Sequence, residues 1–205
     1  MLGYYLDFQD PGLIRYIKKG KTRFKKRFMT IVKYLNAKGL KLTYPMLENE
    51  TGYVGGGAVV YAMLVQAGKA DFTDADWHEY DGYLREAERT LGPELDPPST
   101  YEVLEMIKKF KGVPVLAHPY SSRPEKLLPV PLVADLIKRG VKGLEILGKR
   151  NPPEDPYICK LIKLAKEYGL VLTGGSDTHN KGKRCEMGRN AFDYNDGLLQ
   201  FLNTL

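Results

Sequence analysis

Leu170-Val171-Leu172-Thr173-Gly174-Gly175-Ser176-Asp177-Thr178-His179 reads as a short apolar strand that runs into an Asp-x-His pair. Upstream, Pro114-Val115-Leu116-Ala117-His118-Pro119 has the same form, an apolar strand that delivers a histidine at its C-terminal end. Around these two stretches the pattern alternates. A helix over 99–110 precedes a strand over 113–117, a helix over 132–138 precedes a strand over 143–147, and a helix over 155–168 precedes a strand over 170–173. Such βα repetition implies parallel strands and an α/β fold. Parallel strands of α/β folds present their functional groups at the C-terminal end. The chain has three histidines, and two of them, His118 and His179, stand at such ends. A carboxylate beside a neutral imidazole is a common ligand pairing for Zn, Mn or Fe, so the two strand ends form a candidate metal site. A single histidine after a strand also serves as a hydrogen-bonded structural residue. The reading rests on the Asp177-x-His179 spacing joined to His118.

Two motifs and the strand between them carry a more specific resemblance. VLAHP (Val115 to Pro119) and GGSDTH (Gly174 to His179) resemble the last two motifs of the PHP domain. RGVKGLEIL (Arg139 to Leu147) resembles the strand that family writes as G-[IL]-E-[VI]. The family comprises metal-dependent phosphoesterases built as a distorted (β/α)7 barrel and related to the PHP modules of bacterial DNA polymerases. The resemblance covers residues 99 to 190. Residues 1 to 98 resemble, more weakly, a helical insertion found in the subgroup that removes phosphate from small nucleotides or oligonucleotides. It implies a partial PHP-type barrel in which 1–8 supply a strand, 9–95 the helical insertion and 96–205 the C-terminal half. It also implies His118, Asp177 and His179 as ligands of divalent ions (Mn, Zn or Fe) and a phosphorylated small molecule or nucleotide as substrate. Glu145 would support the site rather than ligate. Arg123 and Lys149, which follow the two strands, would contact phosphate, Arg by its bidentate fork.

Departures from the family pattern bear on activity. The early His-x-His and the bridging Glu of the family have no counterpart in the sequence, and Met1-Leu2-Gly3-Tyr4-Tyr5-Leu6-Asp7 resembles the strand that follows those motifs in relatives. Where relatives carry a G-R-P-H segment, this chain has Val54-Gly55-Gly56-Gly57-Ala58. Three accounts follow: a phosphoesterase truncated at its N-terminal side, an inactive remnant that serves as a binding or scaffold module, or a barrel whose first strands come from a complementing N-terminal polypeptide. An incomplete barrel leaves an apolar edge open, which predicts a homo-oligomer.

Composition sets the frame. At 205 residues and 23.2 kDa the chain can bury a sizeable core. Its 43% hydrophobic and 27% charged residues are ordinary for a globular protein. No apolar run approaches the roughly 18 residues of a membrane span, and the first residues do not read as a signal peptide, so the cytoplasm is the default location. Cys159 and Cys185 are too few for a disulfide framework; Cys159 falls on an apolar helix face and Cys185 beside basic residues.

The net charge is +6, with a pI near 9.1, and much of it lies in Lys18-Lys19-Gly20-Lys21-Thr22-Arg23-Phe24-Lys25-Lys26-Arg27. Basic clusters attract phosphate-bearing partners, but this one also reads as the solvated face of a helix. Phe24, Phe28, Ile31, Val32 and Leu35 recur at spacings of three and four, which predicts a helix over 21–36 with one buried face. Further helices are expected over 58–67 and from a start within Asp71-Phe72-Thr73-Asp74, with Trp77, Tyr80 and Leu84 on one face and His78 exposed or partly packed. Ser99 with Glu102 spells a capping box. Gly39, Gly112, Gly140 and Gly169 each follow a helix, where left-handed backbone ends it.

Overall fold

The computed structural model describes residues 1–51, 54–69, 71–120, 127–147 and 155–175. These fall into two compact units, an α/β unit of residues 1–10 and 98–175 and a helical unit of residues 11–97.

In the α/β unit, strand β1 (Leu2–Tyr4) is followed, after the helical unit, by α5 (Thr100–Lys109), β2 (Val113–Leu116), α6 (Val130–Lys138), β3 (Gly143–Leu147), α7 (Pro156–Glu167) and β4 (Val171–Gly174). The sheet order is β1-β2-β3-β4. β2, β3 and β4 are mutually parallel, with Val115 opposite Gly143 and Glu145 opposite Thr173, whereas β1 lies antiparallel on β2 with Gly3 opposite Pro114. A register irregularity falls between Glu145 and Leu147, at the end of the β3–β4 pairing. The fold is therefore mixed α/β, and the parallel strands sit where the helix–strand alternation puts them.

α5 and α7 begin on side-chain caps written in the sequence. Ser99 accepts from the Glu102 N–H while the Glu102 carboxylate accepts from the Ser99 N–H at 2.7 Å, and Asp155 accepts from Tyr157 and Ile158 at the start of α7. The apolar faces of the three helices pack on the sheet through Leu104, Val133, Leu136, Ile158, Leu161 and Ile162, which close over Leu116, Leu144 and Ile146. Burial of each such side chain contributes about 1.5–3 kcal/mol. Cys159, expected in this core, is only half-buried.

One helix end differs from the sequence expectation. Gly140 and Gly169 take positive φ as expected, but after α5 the left-handed residue is Lys111 (φ 58°), not Gly112. Gly112 serves close packing instead: a Cβ there would lie 2.6 Å from Leu6 Cδ2 and 3.0 Å from Ile107 Cγ2. Leu6 also sits against Gly3, whose Cβ would meet its Cδ1 at 2.7 Å. Two glycines thus make room for one leucine.

The helical unit comprises α1 (Pro11–Ala37), α2 (Tyr44–Thr51), α3 (Gly56–Gln66) and α4 (Asp74–Arg89), with a short 3-10 turn over Pro93–Leu95. α1 starts ten residues earlier than its periodicity suggests because Pro11 is well placed at a first helical position and Leu13 is buried. Phe28, Ile31, Val32 and Leu35 pack inward against α3 residues Val59, Val60, Met63 and Leu64, but Phe24 remains 37% exposed and leans on Phe28 at 4.7 Å between ring centroids. Arg27 enters the same core with its charge answered: it donates to Glu88 Oε1 at 2.9 Å and to the Leu95 carbonyl at 3.1 Å. Among the described residues, no helix is long and apolar enough to cross a membrane.

Candidate functional site

Because β2, β3 and β4 run in one direction, their C-terminal ends share one edge of the sheet. β2 ends at Leu116, and two residues later His118 is exposed, with φ of 29°, a backbone conformation that non-glycine residues rarely adopt. Such conformations persist where the surroundings hold them, and they concentrate at functional sites. The holding groups are identifiable. The His118 N–H donates to Glu145 Oε2 at 3.1 Å. Beyond His118, the Tyr157 hydroxyl donates to the Leu128 carbonyl at 2.7 Å and reaches the Pro119 carbonyl at 3.3 Å. Tyr157 stands in the first turn of α7, its N–H donating to Asp155 Oδ1 at 2.8 Å. Burial pushes the Tyr157 phenol up, which keeps its proton available for those carbonyls. Tyr120 packs 6.4 Å from the Tyr157 ring, and burial, then the charge and hydrogen bond of Asp155, raise its phenol as well.

Glu145 joins the three strand ends. It lies beside Thr173 on β4, whose buried Oγ1 has no hydrogen-bond partner among the described residues. Its other oxygen, Oε1, occupies the space a Cβ would take at Gly175. A side chain at 175 would require that carboxylate to shift. His118 after β2 and Gly175 after β4 thus both meet the one carboxylate of Glu145 on β3, and Gly175 lies two residues before Asp177 in the chain.

Of the residues singled out from sequence, His118 is described at this edge; Asp177, His179, Arg123 and Lys149 lie outside the described residues, as does Cys185. Among the described residues, no group of three or more His, Cys, Asp or Glu side chains could hold a metal ion. The donor type fits a divalent ion: an exposed imidazole at a strand end is a common metal ligand, and Glu145 holds the backbone of His118 rather than its ring. His78, by contrast, is exposed on α4 in the helical unit. Tyr120 and Tyr157 have no role in the sequence reading. Tyr157 directly follows an Asp-Pro helix start, and its hydroxyl meets the carbonyls of Pro119 and Leu128.

No protein-family model matches the chain. Over 88 residues, 43% of its length, the chain is 33% identical to phosphoribosyl 1,2-cyclic phosphate 1,2-diphosphodiesterase of Eggerthella lenta. This chain resembles the PHP-type phosphoesterases. The matched stretch spans 31% of the Eggerthella protein. A solved structure from Bifidobacterium adolescentis, described provisionally as a metal-dependent phosphoesterase, superposes with a TM-score of 0.65 at 24% identity, over 97% of this chain and 68% of that one. That likeness shows a shared fold. The PHP-type resemblance therefore rests on sequence motifs, on a curated relative and on architecture together.

Proposed function

We propose that this chain contributes the C-terminal portion of a PHP-type metal-dependent phosphoesterase, a partial distorted (β/α)7 barrel that hydrolyses a phosphate ester of a nucleotide or another small phosphorylated substrate. One observation carries the reading: the parallel strand ends meet at Glu145, which fixes the strained backbone of His118. The relative that shares 33% identity acts on a cyclic phosphate, which supports a phosphoester substrate here.

In this reading His118, Asp177 and His179 hold the metal. A bound Mn, Zn or Fe ion would polarise the phosphate and lower the pKa of a coordinated water by several units. The chain's own residues do the rest. Glu145 orients the His118 segment. Tyr157 and Asp155 hold the Pro119–Tyr120 loop against α7. Arg123 and Lys149 meet phosphate oxygens, and the segment 9–95 is an insertion in the barrel.

Calorimetric titration with Mn and with Zn, alongside hydrolysis of a small phosphodiester, tests this. Metal binding should be lost in His118→Ala and in Asp177→Asn, and metal-dependent turnover in His179→Ala. Titration heats that all three substitutions leave unchanged would overturn the ligand assignment.

A further inference from the structure

α1 carries nine of the chain's 31 basic residues and not one Asp or Glu. The remaining 22 basic side chains are outnumbered by all 25 acidic ones, so this single helix accounts for the positive balance. At 3.6 residues per turn, Arg15, Lys18, Lys19, Lys25, Lys26 and Lys33 fall within an arc of about 120°. All six are exposed. Arg15 and Lys33 are 18 positions apart, which at a rise of 1.5 Å gives a basic row about 27 Å long.

At three other helices some surface cations meet carboxylates of the same helix: Arg85 with Asp81 at 3.4 Å and Glu88 at 3.3 Å, Lys108 with Glu105 at 2.8 Å, Arg139 with Asp135 at 2.8 Å. Among the described residues, none of the six cations on the α1 arc forms an ion pair. The helix instead keeps like-charge neighbours four apart, Arg15 with Lys19 and Lys21 with Lys25, an arrangement that opposes helix formation. The stretch retains charge repulsion that one or two acidic residues would remove.

We infer that the outward face of α1 binds the phosphate backbone of a single-stranded nucleic acid. A membrane surface fits less well. A helix that lies on a bilayer inserts its apolar face, and the apolar face of α1, with Leu13, Phe28, Ile31, Val32 and Leu35, is already buried. An acidic protein segment would match the charge but not the exposed apolar surface interleaved with it. Met29, 52% exposed, lies inside the basic arc, and Tyr16, 38% exposed, lies about 60° beyond it. Single-strand surfaces combine cations for the backbone with flat or apolar side chains for the bases. The α1 face belongs to the helical unit, and the inference does not depend on the hydrolytic reading.

Fluorescence anisotropy of a labelled oligothymidylate, in chelator so that metal chemistry plays no part, tests the inference. With about five phosphates neutralised, log K should fall with log salt at a slope near −3.5. The triple variant K18Q/K19Q/K26Q, which keeps good helix formers, should bind at least tenfold more weakly, with a slope about 2 units shallower. K160Q/K163Q/K166Q removes the same charge from exposed positions of α7 and should stay within twofold of the parent. Circular dichroism checks that both variants keep their helices. Equal losses in the two triples would reduce the effect to net charge and overturn the proposal. So would the absence of binding, or equally tight capture of polyglutamate or of anionic vesicles.

Discussion

The His118 backbone N–H and the Glu145 carboxylate are 3.1 Å apart, although 27 positions separate them in the chain. The contact ties the end of β2 to β3 at the residue whose φ of 29° has least intrinsic support. It makes Glu145 a positioning residue for His118.

Glu145→Ala should therefore weaken Mn or Zn binding by about 10–100-fold, the usual effect of removing a group that orients a ligand. Glu145→Gln keeps an oxygen to accept from His118 and should fall between the parent and the alanine variant. Calorimetry reads the affinities. Identical affinities in all three proteins would remove Glu145 from the site.

Gly175→Ala should act through the same carboxylate, because the new methyl group would occupy the space of Glu145 Oε1. Each single variant should lower metal affinity, and the double variant Gly175→Ala with Glu145→Ala should be no worse than Glu145→Ala alone. Additive losses would mean that Gly175 serves the backbone of β4 and not the carboxylate.

The parts of this fold that were legible in sequence are those where one residue type has one physical role. Ser99 with Glu102 wrote the start of α5, and Gly140 and Gly169 wrote helix ends. The run Gly143–Leu147 wrote a buried parallel strand. Two kinds of information were not local. Gly112 looked like a helix terminator, but its smallness is used by Leu6, which is distant in sequence. Nothing in the sequence reading singles out Tyr157, whose hydroxyl meets the carbonyls of Pro119 and Leu128. At the candidate site, the motifs named His118 and gave Glu145 a supporting place, while the bond from the His118 N–H to Glu145 needed the register that sets β3 between β2 and β4.

Tyr157→Phe should lower stability by about 1 kcal/mol, because two loop carbonyls lose their shared donor while the ring still fills its place. Urea denaturation gives the difference. Faster amide hydrogen exchange confined to residues 118–120 and 127–128 would locate it. Unchanged stability and exchange would mean that water replaces the hydroxyl without loss.

Asp76 gives the helical unit an acid-sensitive contact. Lys69 Nζ donates to its Oδ1 at 2.5 Å, and Thr73 adds donors from its hydroxyl at 2.6 Å and its backbone N–H at 2.8 Å. Foremost the Lys69 hydrogen bond, then those from Thr73, hold the Asp76 carboxyl well below the usual carboxylate range. A lowered folded-state pKa means that the ionised form is favoured by folding. The contribution is complete above the unfolded value, about 3.9, and is lost as pH falls from there through the folded value. Asp76→Asn keeps an acceptor for Thr73 but removes the charge. It should therefore be less stable than the parent at pH 7, with the gap closing as pH drops below about 4. Lys69→Met should lower stability at pH 7 in the same direction, since it removes the largest cause. Urea titrations of the three proteins at pH 7, 5 and 3 decide the point: a parent–Asn difference that stays constant across that range would show that the charge of Asp76 contributes nothing to folding.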